Sequence, residues 1–256
     1  MSYKSDFHIH TYYSDGTFKP SAVVRKFKDE EYDEIAITDH DGTDGVKEAM
    51  IAGEALRIKV IPGIEFATVF EYNGEHPELH ILGYYIDVDN APLQKRLVEI
   101  REERQHRNEK LLKLLNESGY ELTWEDILER PGQTYIGKPN FKRALERKGY
   151  KLDDPWTLFD KVSRDKITSE ESIALIKGAG GIAVLAHPMK IKHLGTPGTD
   201  EFFASLDGMV AQLKKAGLKG LECFHPSANE EESLKLVDIA GKYHLHITKG
   251  SDFHTE

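Results

Sequence analysis

The sequence predicts an α/β protein, a small and irregular β/α barrel interrupted by an all-helical insertion. Three observations carry that expectation. Short apolar runs alternate with amphipathic helical stretches, the pattern of parallel β/α units. Several of those runs end in His, Asp or Glu followed by a Gly, Pro or Asp turn, as chains do at the carboxyl-terminal mouth of such a sheet. The rhythm breaks over residues 89–165, and what remains is too short for a regular eight-unit barrel.

Strands are expected near 3–9, 34–38, 58–62, 64–72, 78–86, 181–186, 219–224 and 245–249. Those at 64–72 and 78–86 read as an antiparallel pair joined through Asn73-Gly74-Glu75-His76-Pro77. Helices are expected near 20–31, 43–57, 168–178, 200–216 and 229–243. Pro20-Ser21 opens the first, and Gly217 and Gly241 lie near the ends of the last two. The insertion starts as a long charged helix over 91–117, with Leu97, Ile100, Leu111, Leu112 and Leu115 as its apolar stripe. Gly119 ends it, and short helical pieces follow at Trp124–Leu128, Lys138–Lys148 and Asp154–Val162. The chain thus divides into a first barrel half (1–88), a helical cap over the mouth (89–165) and a second half (166–256). The run Arg101-Glu102-Glu103-Arg104-Gln105-His106-Arg107 reads as a solvated helix face. A β/α unit ordinarily returns through a helix, and the residues after His254 are too few for one. The expectation is either a shortened chain or a barrel that closes without that helix.

Composition narrows the function classes. Apolar residues make up 39% and charged residues 30% of the chain, as in an ordinary polar globular protein. No run approaches the roughly 18 apolar residues of a membrane span, and Met-Ser-Tyr-Lys-Ser-Asp carries no secretory signature, so a cytoplasmic protein without membrane partners is expected. The net charge of −10 argues against a protein that grips duplex DNA. Divalent cations would still make a local site attractive to an anionic substrate. The single Cys223, inside Gly220-Leu221-Glu222-Cys223-Phe224, excludes an internal disulfide and reads as a buried strand residue.

The chemistry sits in the strand endings. His8 and His10, at i and i+2 of a strand, point to one face and can reach one point. Alone, that motif is weak. It is joined by Thr38-Asp39-His40-Asp41-Gly42, Gly63-Ile64-Glu65, His80 within an alternating strand, Ala186-His187-Pro188, and Ser251-Asp252-Phe253-His254. Chance explains one such ending, but not the set.

With Asp15, these motifs in this order resemble the polymerase-and-histidinol-phosphatase (PHP) domain. The resemblance covers most of residues 1–88 and 165–256. It is closest to stand-alone phosphoesterases that release phosphate from nucleotides and carry a helical segment between the barrel halves. It implies a distorted (β/α)7 TIM-like barrel and two to three divalent ions, Mn, Fe or Zn. Nine candidate ligands, His8, His10, Asp15, His40, Glu65, His80, His187, Asp252 and His254, are too many for one ion and too open in type for a structural zinc site. By resemblance, His8, His10, Glu65 and Asp252 hold one ion. Glu65, His80 and His187 hold a second, with Glu65 bridging, and Asp15, His40 and His254 hold the third. Asp15 rests on the resemblance, since turn chemistry alone explains Asp15-Gly16, and many relatives carry a histidine there. Asp39 is expected to orient His40. His76, His106, His193, His244 and His246 receive no role.

Ions so grouped turn water into hydroxide near neutral pH and neutralise phosphoryl oxygens, help that phosphate ester hydrolysis needs. Glu65 and Asp252 are therefore expected to be catalytic. His225, at a strand end in Phe224-His225-Pro226, is the candidate general acid or substrate contact. Lys138, Arg143 and Lys190 are the candidate phosphate-binding cations. Relatives often show Arg and His where Lys138 and Asn140 stand, which points to an altered substrate preference. The expected activity is hydrolysis of nucleotide phosphomonoesters, AMP-type monophosphates or 3′,5′-bisphosphates. A 5′–3′ exonuclease on short oligonucleotides and a histidinol-phosphate-type phosphatase are the near alternatives, with Tyr12, Tyr13, Phe70 and Tyr135 able to stack bases. A C–N or C–O hydrolase would need no phosphate-binding cations, and a non-catalytic module would not keep the whole ligand pattern.

Overall fold

The computed structural model describes residues 3–130, 133–151 and 154–255. Seven strands lie side by side in chain order: β1 (Ser5–Ile9), β2 (Glu34–Ile37), β3 (Lys59–Val69), β4 (Glu78–Tyr84), β5 (Ile182–Leu185), β6 (Gly220–Phe224) and β7 (His246–Lys249). Helices α1 (Pro20–Asp29) and α2 (Val46–Leu56) alternate with the first strands. After β4 come α3 (Ala91–Glu117), α4 (Trp124–Ile127), α5 (Lys138–Arg147) and α6 (Pro155–Phe159), then α7 (Ser169–Gly178), α8 (Asp200–Ala216) and α9 (Glu230–Lys242). All neighbouring strands are parallel except β4, which runs against both β3 and β5. The ring closes through an extended segment beyond β7, not through a helix. His10 N–H donates to Phe253 O at 2.9 Å and Phe253 N–H to His8 O at 3.2 Å. The Phe253 ring packs against Phe18 and Phe27.

One expectation is corrected. The strands foreseen at 58–62 and 64–72 are a single strand, β3. Its first residues pair with β2 up to Ile37–Pro62, and from Gly63 onward it pairs with β4. Pro62-Gly63 therefore marks a change of partner rather than a break. A Cβ on Gly63 would stand 2.8 Å from Ile37 O and 3.0 Å from Gly83 O, so only glycine lets three strands meet there. The β3–β4 hairpin turns at Asn73-Gly74, both at positive φ, with Tyr72 and Glu75 exchanging backbone hydrogen bonds.

Aliphatic residues and the Tyr84 ring form one buried cluster, Ala36, Ile61, Leu82, Tyr84, Val184 and Ala186, with Phe7 packed against it. The opposite strand faces carry Ile9, Ile35 and Ile37 against Val23, Val24 and Phe27 of α1. On the other side, Phe202, Leu206 and Val210 of α8 cover Ile64, Leu185 and Leu221. Each fully buried side chain of this size contributes about 1.5–3 kcal/mol relative to exposure. Helix starts follow the sequence: Thr168, Thr199 and Asn229 cap α7, α8 and α9.

Helix α3 belongs to two cores. Its Leu93, Leu97 and Ile100 pack on the barrel, whereas Leu111 and Leu115 pack with Phe141, Leu145 and Phe159 of the helical segment. Between them the buried stripe continues through Arg104, Arg107 and Asn108. Arg104 and Arg107 are thus not part of a solvated face. They sit where the helix passes over the barrel mouth, and their charges are turned inward.

Candidate metal centre

The mouth is built by strand ends. In β1 a bulge sets Asp6 opposite Ile35 but Ile9 opposite Ile37, and His8 and His10 both end fully buried in the cluster at the mouth. His40 follows β2, and Glu65 lies within β3, bonded to the loop after β2 by Glu65 N–H to Asp39 O (3.2 Å) and Asp41 N–H to Glu65 O (2.9 Å). His80 reaches the same mouth from near the start of β4, because β4 runs the other way. His187 follows β5, and Asp252 and His254 follow β7.

Glu65 is fully buried at the centre. Its Oε1 lies 2.9 Å from His80 Nδ1, 3.1 Å from His187 Nε2 and 3.3 Å from His8 Nε2. Its Oε2 lies 3.0 Å from His40 Nδ1 and 3.3 Å from His10 Nε2. Asp252 Oδ1 is 3.2 Å from His10 Nε2 and 3.4 Å from His8 Nε2. Asp15 joins on the other flank, 3.1 Å from His254 Nε2 and 3.6 Å from His40 Nε2.

All nine candidate ligands converge. Their donor atoms form four overlapping groups: His8, His10, Asp252; His8, Glu65, His187; His40, Glu65, His80; and His10, Asp15, His40, His254. Membership differs from the sequence-based assignment, since His40 faces both Glu65 and Asp15, and His10 faces both Asp252 and Asp15. The donor set fits divalent ions. His8 Nε2, His10 Nε2, His40 Nδ1, Glu65 Oε2 and Asp15 Oδ1 are buried with no hydrogen-bond partner, an arrangement that costs free energy unless something positive lies between them. Without ions that role falls to protons. Burial opposes charge on His10 and His80, yet Asp252 and Glu65 lift His10 to about 10, and Glu65 lifts His80 to about 9. Burial alone wins at His187, pushed down to about 4.

The surroundings hold this cage in shape. Asp39 does not orient His40. Its carboxylate accepts Thr11 N–H, Thr11 Oγ1–H and Ser14 Oγ–H, each at 2.7 Å, and so fixes the loop between His10 and Asp15. Asp6 accepts His8 N–H and Ser251 N–H, tying β1 to the Asp252 loop. His225 is buried beside the cluster, its Nε2 3.5 Å from Asp252 Oδ2. Its Nδ1 accepts Ser227 N–H at 2.9 Å, so the neutral ring carries its proton on Nε2, facing the mouth. Cys223 is buried, and burial pushes its thiol up to about 12, as expected of an inert strand residue.

Two cavities meet at His40, Glu78, His80 and Lys192. The first, about 550 Å³, is lined by His40, His80, His187, Asp252 and His254 with Lys190 and with His76 and His193, two histidines that the sequence had left without a role. Lys190 Nζ lies 2.6 Å from Asp252 Oδ2. The second, about 630 Å³, lies under the helical segment, lined by Arg104, Arg107, Lys138, Arg164 and Lys166 and by Tyr135 and Trp156. Lys138 is there, paired with Asp160 at 2.6 Å. Arg143 is not: its guanidinium grips Glu129 at 2.5 and 3.1 Å on an exposed helix face, because that side of α5 points away from the mouth.

Sequence reasoning missed Arg104, Arg107, Arg164 and Trp156. Arg104 and Arg164 both donate to buried Asp41. Arg107 is buried, forms no ion pair among the described residues, and leaves Nε without a partner. Burial, with Arg104 and Arg164 nearby, pushes it down to about 10. A signal existed. Arg104 and Arg107 continue the spacing of Leu97, Ile100, Leu111 and Leu115, so the stripe was charged in its middle rather than interrupted. Of the proposed stacking rings, Phe70 is buried, Tyr12 lies under Arg130, and Tyr135 is covered by Arg104 on the approach to His40. Trp156, 43% exposed, is the open ring of the second cavity.

Comparison with known proteins agrees with this geometry. The chain is 29% identical to the phosphoribosyl 1,2-cyclic phosphate 1,2-diphosphodiesterase of Eggerthella lenta, over 97% of this chain and 93% of that one. It is 30% identical to the 5′–3′ exoribonuclease Rnm of Salmonella typhimurium (97% and 84%). It is 29% identical to the 3′,5′-nucleoside bisphosphate phosphatase of Chromobacterium violaceum (97% and 86%). A solved structure from Bifidobacterium adolescentis, classed as a metal-dependent phosphoesterase, superposes with a TM-score of 0.82 at 27% identity, over 99% of this chain and 88% of that one. The PHP domain pattern itself matches residues 6–153, and with that match the chain belongs to the PHP domain family.

Proposed function

We propose that this protein is a metal-dependent phosphoesterase acting on nucleotides that carry a second phosphate, foremost 3′,5′-bisphosphates. The observation that carries the reading is the convergence of nine candidate ligand side chains beside a buried arginine that forms no ion pair among the described residues. Divalent ions held by those side chains would supply the nucleophile and neutralise the phosphoryl oxygens. The chain's own residues do the rest. Glu65 presents its two oxygens to opposite flanks of the cage and keeps the groups at fixed separation. His225 holds an Nε2–H at the mouth and can donate it as a hydrogen bond to the departing ester oxygen. Lys190 offers a cation on the open side. In the second cavity Arg107, which leaves Nε free in a buried site, is the group a second phosphate would satisfy, and Trp156 offers its face to a base. A C–N hydrolase would have no use for that buried cation.

The exoribonuclease reading is favoured by one observation. The two cavities join past the metal centre, leaving room for a chain to continue on both sides. Phosphate and nucleoside release should be followed with adenosine 3′,5′-bisphosphate, AMP, p-nitrophenyl phosphate, a ribose cyclic phosphate and short 5′-phosphorylated RNA. The proposal expects kcat/KM for the bisphosphate to exceed that for AMP tenfold or more, the worth of one charge-assisted contact of about 1.5–3 kcal/mol. Mononucleotides released from RNA faster than phosphate from any bisphosphate would move the assignment to the exonuclease.

A further inference from the structure

Among the described residues, the carboxylate of Glu222 lines neither of the two cavities and belongs to none of the ligand groups, yet it joins two of them. It lies in β6 with no exposed surface. Its Oε1 is 3.0 Å from His8 Nδ1, and its Oε2 accepts His187 N–H at 2.6 Å. His187 sits at φ 26, a backbone conformation that non-glycine residues rarely adopt, so its N–H needs a fixed acceptor to hold it there. The chain just after β7 comes close enough to seal this contact only because residue 250 is glycine. A Cβ there would lie 2.2 Å from His8 Cβ and 2.5 Å from Glu222 Oε1.

We infer that Glu222 is a positioning residue that sets the tautomer and ring orientation of His8 and the backbone of His187, and thereby the affinity of the ions these two hold. Glu222 Oε1 is an acceptor, so His8 carries its proton on Nδ1 and turns the Nε2 lone pair toward Glu65 and Asp252, 3.3 and 3.4 Å away. Nε2 is also the buried nitrogen that has no hydrogen-bond partner. A carboxylate behind a ligating imidazole makes the ring a more basic ligand and fixes which nitrogen faces the metal. One carboxylate serving both a ring N–H and a backbone N–H uses an acceptor on each side. Glutamine can offer only one acceptor, and its amide group would set a donor against the other N–H. The group of His10, Asp15, His40 and His254 makes no contact with Glu222 and should not feel the change.

The inference rests on metal binding at this mouth, and the test separates the two. Mn²⁺ or Zn²⁺ binding to chelator-stripped wild type, Glu222→Gln and Glu34→Gln is measured by competition with a coloured chelator, with circular dichroism on each sample. Glu34 is a buried carboxylate away from the mouth, paired with Lys59, and controls for general destabilisation. The expected result is a 10–100-fold weaker affinity for the ions at His8 and His187 in Glu222→Gln. Binding at the Asp15 group should persist, and Glu34→Gln should bind as wild type does. Wild-type affinity in folded Glu222→Gln would overturn the inference, whereas failure of the wild type to bind would overturn the metal reading beneath it. Should Glu222→Gln not fold, ¹⁵N-histidine spectra of the Zn²⁺-loaded wild type decide. A proton on His8 Nδ1 supports the inference, and a proton on Nε2 overturns it.

Discussion

At the scale of single residues, the site is a balance between buried negative charge and whatever compensates it. Glu65 faces five imidazole nitrogens within about 3.3 Å, so it cannot be replaced without leaving several of them unpaired. Glu65→Gln keeps the shape and removes the charge, and turnover should fall to background. Rates near wild type would reduce Glu65 to a structural strand residue. Arg107 tests the second cavity. Arg107→Ala should raise KM for adenosine 3′,5′-bisphosphate about tenfold or more while leaving AMP nearly unchanged, a loss of about 1.5–3 kcal/mol. An equal effect on both substrates would mean that Arg107 only supports the helix. The candidate ligands were legible because most are chemically distinctive side chains at or near the end of an apolar run. Glu222 was not, and Arg107 was marked only by its place in the apolar spacing of α3. Nothing in Gly220-Leu221-Glu222-Cys223-Phe224 marks a carboxylate that will face a histidine more than 200 residues away. Arginines at helical spacing look alike whether they point to water or inward.

At the scale of elements, the alternation of strands and helices was readable. What could not be read was a change of partner along one strand. Pro62-Gly63 looks like a strand end, yet β3 passes through it and exchanges β2 for β4. Only knowledge of both partners distinguishes these outcomes. Helix α5 gives a contrast between two substitutions that sequence alone treated alike. Lys138 lies at its start on the cavity, and Arg143 lies on its outer face held by Glu129. Lys138→Ala should raise KM for the preferred nucleotide more than for p-nitrophenyl phosphate. Arg143→Ala should leave kinetics unchanged and cost at most about 1 kcal/mol of stability, as an exposed ion pair does. A kinetic defect in Arg143→Ala that matched Lys138→Ala would require α5 to approach the substrate differently.

At the scale of the whole molecule, a ring of seven strands closed by Phe253 places residues from both ends of the chain around one point. That closure was left open by the sequence, because it depends on Phe253 pairing with β1 and packing on Phe18 and Phe27. The charge of the mouth has a consequence for pH. In the metal-free cage His10 and His80 titrate near 10 and 9, above their ordinary 6.5. Their protonation stabilises the metal-free fold fully below pH 6.5, and that contribution is lost as pH rises through 9 to 10. Ions must displace these protons, so metal binding should release protons at pH 7, and apparent affinity should weaken as pH falls. Thermal melts of chelator-treated and metal-loaded protein from pH 6 to 10 should therefore diverge, with only the stripped sample losing stability at the alkaline end.

The central claim is that this mouth is a multi-ion centre and that its ions are required for phosphate release. Elemental analysis of protein purified without chelator, with phosphate release assayed on the same sample before stripping, after stripping and after Mn²⁺ or Zn²⁺ is returned, tests it most directly. The account predicts at least two ions per chain, activity lost with them and restored with them, and no ions retained beyond the Asp15 group in Glu65→Gln. A folded protein that carries no metal, takes none up and still releases phosphate would contradict it.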